Sequence, residues 1–188
     1  MEAFSDGVIA IILTIMVLDL KAPASADLSA LRPMIPTFLG YVLSFVHVGL
    51  YWNNHHHTLQ AVRTVGGRVL LANMHLLFWM SLIPVTTNWM GTTNFAMWPV
   101  IVYGIVLLLS AVAYYILVRV LIRHEGYDSA LARAIGRDWK GKISLAMYAV
   151  AIASAFLHPL IAGAIYAAVA LMWLIPDSRI ETKLPKES

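Results

Sequence analysis

Six apolar runs, at roughly 7–20, 36–57, 69–90, 97–122, 142–158 and 160–175, occupy most of this 188-residue chain. Each lies near the length of about 20 residues that an α-helix needs to cross a bilayer. The connectors carry helix breakers: Pro23 and Pro33 after the first run, Gly66 and Gly67 after the second, Pro159 between the fifth and sixth. With 60% hydrophobic and 12% charged residues, the chain carries about half the charge of a soluble domain. Apolar side chains at a mean hydropathy of +0.75 cannot all hide in one small core, so lipid must cover the remainder. The expected fold is an all-α integral membrane protein with six transmembrane helices per subunit. Residues 1–176 form the membrane domain and 177–188 a short cytoplasmic tail.

Charge placement gives the orientation. With the N-terminus in the cytoplasm, the connectors near 58–68 and 119–142 and the tail from 177 lie inside and hold eleven of the thirteen Lys and Arg residues. Only Lys21 and Arg32 fall outside, which is the positive-inside pattern. Both termini are therefore expected in the cytoplasm, with the chain in the cell membrane. The net charge of +3 lies in loops and not along one polar face, so no nucleic-acid partner is expected. The absence of cysteine excludes disulfides, thiolate metal sites and cysteine catalysis.

The first run is short. Twelve residues separate Asp6 from Asp19, and as α-helix they extend about 18 Å against a hydrocarbon layer of about 30 Å. Both carboxylates then sit at membrane depth, where ionised groups face water or protein. An interior helix ending in carboxylates suits a cation path. A cleaved signal peptide is the competing reading, but it needs a basic n-region, and Glu2 and Asp6 stand there instead.

Polar groups gather at the cytoplasmic end of the second run. His47, Tyr51 and His55 share one helical face, and Trp52 with His56 forms a neighbouring one. Asn73 begins the third helix at the same depth, so Ser5, Asp6, Trp52, His56 and Asn73 are expected to form a buried hydrogen-bonded cluster. Ordinary capping by Ser5 or Asp6 at the start of the first helix is the plainer account of those two residues. His55, His56 and His57 point about 100° apart and cannot converge on one ion, so no metal is expected. A haem between His47 and His75 remains as an alternative. Thr64-Val65-Gly66-Gly67 resembles part of a TVGYG potassium filter but lacks the Tyr and sits between Arg63 and Arg68 on the basic side, so it reads as a turn. Ser81, Pro84, Thr86 and Thr87 suggest a proline kink whose freed carbonyls are taken up by hydroxyls.

The run from Phe4 to Ile11, Phe-Ser-Asp-Gly-Val-Ile-Ala-Ile, opens the first transmembrane helix. With Trp52, His56, Asn73 and Ser81-Leu82-Ile83-Pro84, it resembles the signature of the transmembrane protein 175 family of potassium channels. The resemblance implies a homotetramer of six-helix subunits without a TVGYG filter, its first helices lining the pore. It also implies Ile11 as the hydrophobic bottleneck, Thr14 as a selectivity layer, Ile15 and Leu18 on the same pore face, and Asp19 at the outer mouth. The family motif begins with an Arg four residues before the Phe, which here would precede Met1. If the native chain does not begin upstream with that Arg, Asp6 loses its expected partner.

The spacing of Ile11, Ile15 and Leu18 is compatible with one helix face. Ordinary packing of such a stripe is the alternative, and hydrophobic rings can gate by dewetting. Met16 lies off the stripe, so a change there is expected to have little effect on flux. The expected function is a passive, potassium-permeable channel, with potassium ions and lipid as partners, no cofactor and no enzymatic reaction. A proton-coupled secondary transporter would use the histidines as a relay, but the sequence lacks repeated halves with Gly/Pro-broken helices. A membrane haem or quinone protein is the remaining rival.

Overall fold

The computed structural model describes residues 1–23, 25–62, 64–136 and 138–175. The tail expected over 177–188 lies outside them. The chain folds as α1 (Glu2–Leu18), a 3-10 turn (Leu28–Met34), α2 (Ile35–Gln60), α3 (Gly67–Ser81), α4 (Ile83–Thr92), α5 (Met97–Glu125), a short α6 (Ala130–Ile135), α7 (Trp139–Ala155) and α8 (Pro159–Leu174). Every described element is helical. Three stretches are long and apolar enough to cross a membrane: Leu28–Gln60, Gly67–Thr92 and Met97–Glu125. The protein is a multi-pass membrane protein. Helices α1, α7 and α8, with 17, 17 and 16 residues, are about 24–26 Å long, near the lower limit for spanning.

Local chemistry sets the boundaries. Prolines in the first turns of α2, α4 and α8 occupy positions whose N–H would have no intrahelical partner. His158 Nδ1 caps α8 through the Leu160 amide, and Asp138 caps α7 through the Gly141 amide at 3.1 Å. Gly126, at φ +97, ends α5 in a conformation that favours glycine.

α5 is the central helix and packs against α3, α4, α7 and α8. On one side α1 lies against α2, α3 and α4; on the other α7 and α8 pair. The α5–α8 crossing depends on Gly104, where a Cβ would lie 1.9 Å from Tyr166 Oη. Tyr166 uses that space to donate to the Val100 carbonyl at 3.2 Å. Between α2, α4 and α5, a buried hydroxyl group joins Ser44 to Thr87 Oγ1 (2.6 Å) and Tyr103 Oη (3.1 Å), so these polar atoms cross the apolar core satisfied.

Three expectations need correction. The first helix begins at Glu2, a turn earlier than the apolar run, and Met1 is its N-cap. Ser5 and Asp6 are therefore inside the helix, and the capping reading fails: Ser5 Oγ donates back to the Met1 carbonyl at 3.2 Å. The third apolar run is two helices, divided at Leu82. Hydroxyls serve carbonyls on both sides of that break, Ser81 to Phe78 at 2.7 Å and Thr87 to Ile83 at 2.7 Å. The connector near 119–142 is mostly helical, because α5 continues to Glu125 and α6 follows.

Candidate functional site

α1 has two unlike faces. Ser5, Ile9, Ile12 and Met16 repeat at intervals of three or four residues and are buried against the neighbouring helices. Ile11, Ile15 and Leu18 are 58%, 46% and 78% exposed, whereas Ile12 is 2% exposed. Phe4 and Thr14 are also exposed. An uncovered apolar stripe follows, with a single hydroxyl in it. Thr14 Oγ1 donates to the Ile11 carbonyl at 2.9 Å, which leaves its lone pairs directed away from the helix. Asp19 is half-buried as the C-cap, its N–H bonded to Ile15 O. Met16, which the sequence places off the stripe, is buried, so truncation there opens a cavity and costs stability.

The polar cluster divides in two. In the buried half, His55 Nε2 donates to Asn73 Oδ1 (2.7 Å), Asn73 Nδ2 donates to Ser5 Oγ (2.9 Å), and Ser5 donates to the Met1 carbonyl. The amide oxygen can only accept, which fixes the direction of this chain from α2 through α3 to α1. The second half lies nearer the surface. Trp52 Nε1 donates to Asp6 Oδ1 at 3.0 Å, and His56 Nδ1 meets Glu2 Oε1 at 2.9 Å. Gln60 Nε2 donates to His56 Nε2 at 3.0 Å, so the proton faces Glu2. Trp52 and His56 stack at 5.7 Å and 22°. Residues four apart on α1 thus engage residues four apart on α2.

The five residues singled out from sequence all touch this α1–α2–α3 junction, but not as one group. His56 and Trp52 belong to the outer pair of contacts, Asn73 and Ser5 to the inner chain. Sequence reasoning missed Glu2 and His55 as members. Glu2 was legible as i−4 from Asp6, facing Trp52 and His56. His55 was assigned to the His47 face, and only the approach of α3 reveals its partner. Donor atoms of Glu2, Asp6 and His56 lie within 4.8 Å of one another. Asp6 already accepts from Trp52 and Glu2 lies against His56, so the arrangement reads as a helix clamp. The two histidines of the haem alternative differ in setting: His47 is buried with Nδ1 donating to Leu43 O at 2.9 Å, whereas His75 is exposed and accepts from Trp79 Nε1 at 2.9 Å.

Comparison with known proteins points the same way as the junction. The sequence model of a family described as the endosomal/lysosomal potassium channel TMEM175 matches residues 1–84. A protein of Chryseobacterium sp. (strain P1-3), named a potassium channel, is 54% identical over 184 residues, covering 98% of this chain and 96% of its own. The human protein named endosomal/lysosomal proton channel TMEM175 is 39% identical over 93 residues, 41% of this chain and 18% of its own. Among solved structures, a lysosomal potassium-selective channel TMEM175 homologue from Chamaesiphon minutus superposes with a TM-score of 0.80 and 26% identity. The superposition covers 93% of this chain and 94% of that one.

Proposed function

This chain belongs to the TMEM175 family, and on that premise we propose that it is a subunit of a passive potassium channel whose path is lined by α1. The observation that carries the reading is the exposed face of α1: Ile11, Ile15 and Leu18 are left largely open within the subunit, although α1 is held against three other helices. One helix cannot enclose a path, so closed cyclic symmetry with several copies is required. We take the assembly as a homotetramer of subunits that each cross the bilayer six times over 1–176, with both termini and the tail 177–188 in the cytoplasm.

In that assembly Ile11 forms the constriction, with Ile15 and Leu18 continuing the apolar ring over about 10 Å of helix. An apolar ring offers an ion nothing in place of its water, so the closed path is a dewetted segment. Thr14, between two of the Ile layers, supplies the hydroxyl layer tied to selectivity. Asp19 sits at the negative end of the α1 dipole, where a carboxylate is disfavoured. Helix stability does not explain it, and a role in concentrating cations at the mouth does. The clamp of Glu2 and Asp6 on His56 and Trp52, with the Ser5–Asn73–His55 chain behind it, holds α1 in register.

The test is electrical. Purified protein in a defined bilayer is expected to give unitary current steps that reverse near the potassium equilibrium potential, with no dependence on a proton gradient. Flux that saturates at low turnover and follows the proton gradient would replace the channel reading with the carrier.

A further inference from the structure

We propose that a second site, a cavity walled by α2, α5, α7 and α8, binds a small organic ammonium ion. The cavity measures about 60 Å3 and is lined by residues that include His47, Asn54, Asp138, Ser144, Tyr148 and Trp173. That is room for several waters or a compact ligand. No residue of α1 lines it, so it is separate from the proposed path.

Three observations give the ligand chemistry. The first is an orphan acceptor: His47 is 2% exposed, and Nδ1 is bonded to the Leu43 carbonyl, which can only accept. The proton is therefore on Nδ1, and Nε2 is a bare lone pair, buried and without a partner among the described residues. A group with an N–H or O–H is needed opposite it.

The second observation concerns the other polar groups on the wall. The Asp138 carboxylate gives one oxygen to the Gly141 amide and retains further acceptor capacity. Asn54 gives one amide N–H to the Leu50 carbonyl, which leaves Oδ1 and its second N–H open. Ser144 already donates to Lys140 O and accepts from Trp173 Nε1. Three of the open groups are acceptors, His47 Nε2, Asn54 Oδ1 and the Asp138 carboxylate, and the last carries a charge. This favours a ligand that donates and carries positive charge. Imidazole nitrogen is a poor ligand for an alkali ion, so an N–H cation fits better than potassium itself.

The third is aromatic. Tyr51, Tyr114, Tyr115, Tyr148 and Trp173 supply ring surface, and two of these rings already attract cations from outside the cavity. Arg119 lies 4.9 Å from the Tyr115 centroid, and Lys140 Nζ lies 5.9 Å from that of Trp173. Lys140 is anchored there by a bond to the Ile175 carbonyl at 3.0 Å. An aromatic box with one carboxylate is the general solution for holding an alkylammonium group.

The experiment is an equilibrium titration of isobutylammonium chloride into purified full-length protein in nanodiscs at constant potassium chloride, with empty nanodiscs as the blank. Saturable binding is expected, with isobutanol, the neutral analogue, at least tenfold weaker. Asp138→Asn keeps an oxygen for the Gly141 amide and removes the charge, and it is expected to weaken binding at least tenfold. Ala111→Leu fills the cavity from α5 without touching a polar group and is expected to abolish binding. Binding that does not saturate, or that is equal for isobutanol, or that survives unchanged in both variants, would overturn the proposal and leave a hydrated cavity.

Discussion

Ile11 and Met16 are five residues apart on one helix and carry opposite consequences. Ile11 is exposed within the subunit, so replacing it removes little intrasubunit packing. Met16 is buried, and shortening it costs about 2–5 kcal/mol as a cavity. Ile11→Asn is therefore expected to raise basal potassium flux in reconstituted vesicles while leaving the melting temperature unchanged. The matched control is Val17→Ala, exposed about 120° around the helix from Ile11. Thr14→Ala should reduce discrimination between potassium and sodium more than total flux. Normal assembly with parental conduction in the Ile11 variant would move the constriction elsewhere. Asn73→Leu tests the clamp instead: it leaves the buried His55 Nε2 without a partner, at about 1–3 kcal/mol, while Ser5 loses one bond and keeps that to the Met1 carbonyl. A melting temperature lowered by several degrees, with selectivity retained, is the expected result; altered selectivity in a stable protein would place these groups on the path.

At the level of elements, the apolar runs gave helix positions because spanning length is a strong signal. The start of α1 was not legible from hydropathy, since Glu2 and Asp6 read as flanks. What draws them into the helix is tertiary: each carboxylate has a partner on α2, a contact that hydropathy does not register. Pro84 was legible as a break, and the hydroxyls around it as the groups that repair it. Gly104 was not, because its meaning depends on a tyrosine 62 positions later in the chain. Gly104→Ala is expected to destabilise the protein sharply, since its Cβ has no room beside Tyr166. Tyr166→Leu vacates that room and leaves the Val100 carbonyl to its own helix. Thermal melting of the two single variants and the double variant should show a double less destabilised than the sum. Simple additivity would mean that α5 and α8 do not meet as closely as described.

For the whole molecule, the question is which face of the membrane each end of α5 reaches. This helix runs 29 residues from Met97 to Glu125, about 43 Å, enough to cross the bilayer with a turn or more to spare. Ala96, its N-cap, stands in a connector without Lys or Arg. Asp128, beyond its C-terminus, stands among most of the chain's basic connector charge. The positive-inside pattern leads us to expect Ala96 outside and Asp128 inside. Both positions are exposed, and the chain contains no cysteine, so single cysteines can be introduced on a clean background. Ala96→Cys is expected to react with an impermeant maleimide added to intact cells, and Asp128→Cys only after the cells are opened. If both react in intact cells, α5 does not cross as proposed and the six-crossing topology falls with it. If Asp128→Cys alone reacts, the crossings stand but the orientation is inverted, and Asp19 would then face the cytoplasm.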